Sequence, residues 1–480
     1  MNTTRLLLIL FCCSSYVLVS SPSNAQQRQQ LPEIGTTAAA VMSIEKEKRV
    51  GEIYMRQIRL AAPLISDPVL QEYVSGIGQQ LVRNTDGVKF PFEFFLINQS
   101  SINAFAFFGG HIGVHTGLIA AAQTESELAA VLGHEIAHIT QRHMIRRMQE
   151  QQRSTPLTIA SMIGAILLGI ANPEAGAAGL YTAVGASAQS QINYTRAYEQ
   201  EADRIGMQTL YHAGFDPKAA PNFFARLAEQ YRYTSKPPEM LLTHPLPESR
   251  IADTRSRAAA LPSVDVAPSL NFMLAKARVQ ARYTHDKSAS EFAQMAQSTQ
   301  LFQQRAGRYG LAIIALDKGN PQQAQDYLKP LLDDDPQNVF YLDVETDILL
   351  GLGDAQAAQD MLRTAYERRP NEQTITMNLA NAALKNHNPQ LAIAVLRDYL
   401  LHHSDSYLAQ QMLVDAYGKA GNLAAMYESR AEVMVMQGRY DIAIDQLQTA
   451  HNHTDNDTTH NRLDGRIEQI RELRHQAEQL

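Results

Sequence analysis

Apolar residues between Thr124 and Glu150 recur at the spacing of one helix face, and the chain changes its period on either side of this stretch. Thr124, with Glu127 three residues later, reads as a capping box, and Leu128, Ala129, Val131 and Leu132 follow as an apolar run. One continuous helix from Thr124 to about Glu150 is predicted. Upstream, residues 41–60 and 67–83 also have helical spacing, separated by Ala62-Pro63 and Ser66-Asp67-Pro68. From Phe90 the period shortens. Pro91 to Ile97, Ala104 to Phe108 and Ile112 to His115 are rich in aromatic and branched residues, with breaks at Asn98 to Asn103 and at Gly109-Gly110. They predict a small antiparallel sheet leading into the long helix. Beyond that helix, Leu157 to Ala171 is nearly all apolar, too short to span a bilayer comfortably, and ended by Asn172-Pro173-Glu174. It reads as a flap over a cleft or a peripheral membrane contact, or with equal weight as a buried core helix.

The second half repeats itself. Gly319-Asn320, Gly353-Asp354, His387-Asn388 and Gly421-Asn422 recur every 34 residues. Ala324, Ala358 and Ala392, then Leu328, Leu362 and Leu396, and Pro336 with Pro370 share that period. This is the tetratricopeptide spacing of helix pairs, which bind partners on a concave face and perform no chemistry. After Gly421 the register slips by half a repeat, where Gly438, Ala443 and Leu447 restart the pattern. A polar terminal helix follows Asn452 to Thr459.

Composition narrows the setting. Residues 1–25 have the form of a secretory signal: Arg5, an apolar run from Leu6 to Val19, and small residues at Ser23 and Ala25 that suit cleavage after Ala25. Both cysteines, Cys12 and Cys13, lie within it, so disulfides contribute nothing to the exported chain. That fits a bacterial periplasm. The remaining length suits two or three domains, divided here as 26–262 and 263–480. A net charge of −7, with no basic stretch interleaved with aromatics, excludes nucleic acid as a partner.

The candidate chemistry lies on the predicted helix, in His134-Glu135-Ile136-Ala137-His138. Histidines four apart leave a helix about 40° from each other, so both imidazoles can reach one metal ion. Zn²⁺ suits such nitrogen donors, and Glu135 beside the first can act as general base toward a water. Gly133 leaves room for another element to approach. In a continuous helix His143 would point roughly 180° away from His134, so it is expected to support the site or pack rather than ligate. A third ligand must come from elsewhere.

Asn103-Ala104-Phe105-Ala106, Gly109-Gly110-His111-Ile112, Gly117-Leu118-Ile119 and Val131-Leu132-Gly133-His134-Glu135-Ile136-Ala137-His138 together resemble peptidase family M48. The resemblance implies a third zinc ligand from a later Glu-x-x-x-Asp helix, here Glu199 with Asp203 one turn on to orient a zinc-bound histidine. Glu201 is the rival, without an acidic residue four positions later. Arg196 and Arg204 are candidates to pair with the surplus carboxylates. A family-like His-Pro segment makes His244 a candidate fourth zinc contact or transition-state donor, and Arg250 a weaker candidate for ordering the site. The fold implied is α+β: a zincin-like, gluzincin-type metallopeptidase domain, mostly helical with a small antiparallel sheet, then an all-α tetratricopeptide solenoid. For periplasmic members carrying such an array, the resemblance implies a chaperone-like zinc protease. It would assist outer-membrane β-barrels, including the lipopolysaccharide-transport barrel, at the assembly machinery and degrade stalled ones. A scaffold with a latent metal site is the alternative.

Overall fold

A computed structural model describes residues 42–152, 188–233 and 239–479. Residues 1–25, expected to be a secretory signal, and the apolar stretch Leu157–Ala171 lie outside them. Among the described residues, no helix is long and apolar enough to cross a membrane.

Two capped helices begin the described chain. In α1 (Ile44–Ala61) the Ser43 side chain accepts from Lys46 N, and Val50, Tyr54, Met55 and Ile58 form the buried stripe. In α2 (Pro68–Arg83) the Asp67 side chain accepts from Leu70 N, and Pro68 occupies the first turn, where no amide donor is needed. Three short strands follow: β1 (Glu93–Ile97), β2 (Ala104–Phe107) and β3 (His111–His115).

The sheet is mixed, which corrects the expected antiparallel arrangement. Its order is β1-β3-β2, with β1 and β3 parallel and β2 and β3 antiparallel. Gly109 and Gly110, at φ 79° and 96°, fold β3 tightly back along β2. A Cβ on Gly110 would collide with the Pro91 carbonyl, so only glycine permits this turn. The turn slots β3 between its two predecessors, and β3 therefore runs with β1. The free edge of β1 is covered where Leu64 bridges Ile97, while β2 lies against the helix that carries the HExxH residues.

After the short α3 (Thr116–Ala121), α4 (Glu125–Thr140) carries the HExxH residues. Thr124 caps it by accepting from Glu127 N at 3.2 Å. The Glu127 carboxylate does not close the expected box. It accepts from Gln123 N at 2.6 Å and from both terminal nitrogens of Arg226. The helix also does not continue to Glu150. Arg142 adopts φ 53°, and a separate α5 (His143–Gln152) begins in a new direction. A tertiary contact explains the break: the buried Arg142 guanidinium lies 2.8 Å from Glu47 of α1 and donates to Met42 O at 2.6 Å.

Helix α6 (Ala188–His212) runs against α4, and Gly133 meets Gly206 at their crossing. A Cβ on Gly206 would stand 3.0 Å from the Gly133 backbone, so the expected close approach is present. Then come α7 (Ala219–Gln230), α8 (Glu239–Thr243) and α9 (Glu248–Ala260).

The array begins with α10 (Leu270–Arg278), a wide π-type turn (Val279–Tyr283), α11 (Ala289–Met295) and α12 (Leu301–Asp317). It continues as α13 (Pro321–Asp334), α14 (Val339–Gly351), α15 (Ala355–Arg368), α16 (Gln373–Lys385) and α17 (Pro389–His402). It ends with α18 (Tyr407–Lys419), α19 (Leu423–Met436), α20 (Tyr440–His451) and α21 (Asp457–Glu478). The repeated dipeptides sit where α13, α15, α17 and α19 start. Gly319, Gly353, His387 and Gly421 all have positive φ, and Asp354, Asn388 and Asn422 cap the next helix. The periodic Ala and Leu positions are fully buried. The half-repeat slip is a tight turn at Gly438, φ 72°, so that α19 closes one pair and opens the next with α20.

The array packs on the N-terminal half. One apolar core runs without interruption from Val69 to Ile348. Within it Arg278 is enclosed between Asp67 at 2.6 Å and Asp343 at 2.7 Å, and it donates to Tyr309 Oη at 3.2 Å. Further along, Thr374 N donates to Glu72 at 2.9 Å, Arg59 lies over the Tyr407 ring and Arg56 over Tyr440. Part of the array surface is thus occupied by α1 and α2.

Candidate metal centre

His134 and His138, one turn apart on α4, bring their Nε2 atoms to 3.0 Å. From α6, Glu199 places Oε2 3.3 Å from His134 Nε2 and Oε1 3.4 Å from His138 Nε2. His244 completes the group. Its Nδ1 lies 3.3 Å from His134 Nε2 and 3.1 Å from each Glu199 oxygen. Helix α8 positions it: Met240 N donates to Ile102 O beside β2, and His244 N donates to Met240 O. One donor atom from each of these four residues lies within 4.8 Å of all the others.

The spacing suits a small tetrahedral ion. Bonds of about 2.0–2.1 Å place ligands about 3.3–3.4 Å apart along a tetrahedral edge, and these pairs fall at 3.0 to 3.4 Å. Glu135 points at the same place with a buried Oε1 that has no hydrogen-bond partner among the described residues. His244 Nε2 stands 3.5 Å from this oxygen.

Behind the cluster, Asp203 Oδ1 lies 3.0 Å from His134 Nδ1. Arg250 is buried over the Phe224 ring and grips Asp203 with two nitrogens, at 2.5 and 2.8 Å. Its Nη1 lies 2.7 Å from Glu199 Oε2 and donates to Pro245 O at 2.9 Å. One guanidinium therefore joins the carboxylates of α6 to the loop that carries His244. This is a larger part than the sequence suggests, because the bidentate grip depends on where α9 docks.

The electrostatics favour a cation. Burial pushes the His134 imidazolium down, but hydrogen bonds and charge from Asp203 and Glu199 outweigh it and hold the ring up at about 9. Burial alone would raise the Glu199 carboxyl, yet the His244 and His138 charges hold it well below the usual carboxylate range. His138 is pushed down to about 4, chiefly by burial.

Glu201 stands outside the cluster, 3.1 Å from His143 and 2.8 Å from Arg146. Arg196 and Arg204 are exposed, and the neighbouring carboxylates are held instead by Arg146 and Arg250. Sequence pattern did not reveal Arg142 and Arg146; only the basic run around His143 hinted at them.

The profile of peptidase family M48 matches residues 68–258, and a tetratricopeptide profile matches residues 346–409. Over 456 residues the chain is 42% identical to the Beta-barrel assembly-enhancing protease of Escherichia coli (strain K12), covering 94% of this chain and 93% of that protein. The chain belongs to peptidase family M48. This M48 peptidase is also 43% identical to a putative Beta-barrel assembly-enhancing protease of Vibrio cholerae, over 92% of its length. A shorter likeness, 29% over 137 residues, joins it to the Mitochondrial metalloendopeptidase OMA1 of Arabidopsis thaliana. It is a metalloendopeptidase with a tetratricopeptide array.

Proposed function

We propose that this M48 peptidase is a periplasmic zinc endopeptidase that assists outer-membrane β-barrel assembly and degrades barrels that stall. The observation that carries the chemistry is the tetrahedral spacing of His134, His138 and Glu199 with the unpartnered Glu135 oxygen beside them. Two imidazoles and a carboxylate are a zinc donor set. When bound, zinc supplies the Lewis acidity that activates water and polarises the scissile carbonyl. Glu135 takes the proton from the attacking water and delivers it to the leaving amide nitrogen. Asp203, 3.0 Å from His134 Nδ1, favours the proton on that nitrogen, which leaves the Nε2 lone pair facing the cluster. Arg250, bound to Asp203 through two nitrogens and 2.7 Å from Glu199, holds both α6 carboxylates in place. The names of the full-length relatives support the barrel substrates and the assembly machinery as partners, and residues 1–25 support export with cleavage after Ala25. The protease domain is taken as 26–262 and the array as 263–480.

Glu199→Gln tests the ligand set. A neutral amide is a poor substitute for the anionic donor, so purified protein should lose most of its zinc and its casein digestion together. Zinc content equal to wild type would remove Glu199 from the site.

His244 supports a second feature, a resting state. Its Nδ1 stands at ligand distance from the other donors, where it competes with substrate for the open position. On this reading His244→Ala raises basal casein and self-cleavage rates severalfold at equal zinc content. A fall in rate at equal zinc would instead make His244 a transition-state donor.

A further inference from the structure

The two histidines of the HExxH helix are held from behind in different ways. His134 Nδ1 meets a carboxylate, Asp203, as ligand histidines commonly do. His138 Nδ1 meets another imidazole: His143 Nδ1, at 3.0 Å. Only one of two facing ring nitrogens can carry the proton of that bond. The other nitrogen of His143, Nε2, lies 3.1 Å from Glu201 Oε2. An ionised carboxylate only accepts, so the His143 proton belongs on Nε2 and its Nδ1 is left as an acceptor. His138 must then be protonated on Nδ1, which leaves its Nε2 lone pair facing Glu199 and His134. The chain of donors runs from His138 to His143 to Glu201.

The far end of this chain is built rather than incidental. Arg146 fixes Glu201 at 2.8 Å and lies 4.7 Å over the Tyr198 ring, and Tyr198 stacks on His143 with 4.8 Å between centroids. His143 reaches His138 only because the helix breaks. In an unbroken helix it would project on the opposite side from His134. The break is held by Arg142, a non-glycine residue in the left-handed region, whose side chain is buried against Glu47 and Met42 O.

We propose that His143 is a positioning residue for the metal: it fixes the tautomer and aim of the ligand His138, and the left-handed Arg142 delivers it. The proposal rests on the zinc site proposed above. His138, the more exposed of the two helix ligands, would otherwise be free to turn its ring toward solvent.

The test uses the full-length chain, zinc competition with a chromophoric chelator, and the visible absorption of the cobalt-substituted protein. His143→Phe keeps a ring against Tyr198 and removes the acceptor. It should weaken zinc binding by about 10–100-fold, the usual effect of losing such a partner, and shift the cobalt bands. His143→Gln, which restores an acceptor oxygen, should lie closer to wild type on both readouts. Glu201→Ala, at a half-exposed position, should weaken zinc in the same direction. His143→Phe with wild-type affinity and cobalt bands overturns the proposal, and so does His143→Gln behaving no better than His143→Phe. If His143→Phe fails to fold, Glu201→Ala decides, and wild-type zinc affinity there overturns it. Glu199→Gln alongside separates the two levels. Loss there with no effect at His143 sinks only this inference, whereas undiminished affinity in both variants removes the ligand set as well.

Discussion

Glu135→Gln should abolish measurable casein digestion, a fall of about 10²-fold or more as expected when a general base is lost, while zinc content and thermal unfolding stay those of wild type. The substitution is nearly isosteric, and Glu135 makes no hydrogen bond through its buried Oε1 that folding depends on. It lies outside the donor group of His134, His138, Glu199 and His244, so the metal should be retained. What changes is proton transfer: an amide cannot take a proton from the attacking water. Steady-state cleavage and metal analysis on the same preparation check this. Cleavage within about tenfold of wild type would mean that another group, with His244 the nearest, performs the transfer.

Arg278→Met should lower unfolding free energy by about 3–5 kcal/mol, the cost of leaving buried charges without their partner. Asp67 and Asp343 both lean on this guanidinium; Tyr283 Oη donates to the same Asp67 oxygen as Arg278, Leu70 N donates to the other, and Asn378 Nδ2 donates to the remaining oxygen of Asp343. Burial pushes the Asp67 carboxyl up, but the Arg278 charge and the hydrogen bonds from Arg278, Tyr283 and Leu70 N outweigh it and hold the group below its ordinary value. The sign of the pH dependence follows. In the wild type, Asp67 stabilises the fold fully above the ordinary carboxylate range, and that contribution fades as pH falls through its depressed value. In Arg278→Met burial, the largest influence on this carboxyl, is opposed only by the hydrogen bonds from Tyr283 and Leu70 N. The folded carboxyl then prefers its proton, so the variant loses stability as pH rises through the carboxylate range. The gap between the two proteins should therefore be largest near neutrality and should narrow toward about pH 4. Urea melts at both pH values measure it; a gap that is equal at both, or wider in acid, would show that Arg278 acts by packing alone. Because Asp67 also caps α2 and Arg278 closes α10, the loss should loosen the seat of the array on the metal-binding half.

Much of the site was legible because helices impose their own geometry. His134 and His138 had to share a face, and Glu199 and Asp203 likewise, once each lay on a helix. Gly133 announced a close crossing, and its partner is another glycine, Gly206. His143 shows where such reasoning stops. The direction that helical spacing gives it holds only along a helix that Arg142 interrupts, and nothing in a period of 3.6 marks an arginine that will turn left-handed. The same holds for Arg250, which looked like a modest helper and is instead the bidentate partner of Asp203 and a neighbour of Glu199.

By itself the sequence determined the local features of this protein. These are the two-histidine face beside Glu135, the capped helix starts, and the 34-residue array with its left-handed turn residues and Asn or Asp caps. All of them follow from contacts within a few residues, where i→i+4 geometry and glycine conformation leave little choice. Only the tertiary structure decided the rest. It slotted β3 beside β1, broke the metal helix at Arg142, aimed His143 at His138, brought His244 to ligand distance, and seated the array around Arg278. Each of those depends on a charge or a cavity supplied by a residue far along the chain. Arg142 answers to Glu47, Arg250 to Asp203 and Arg278 to Asp67, and no local periodicity carries that pairing.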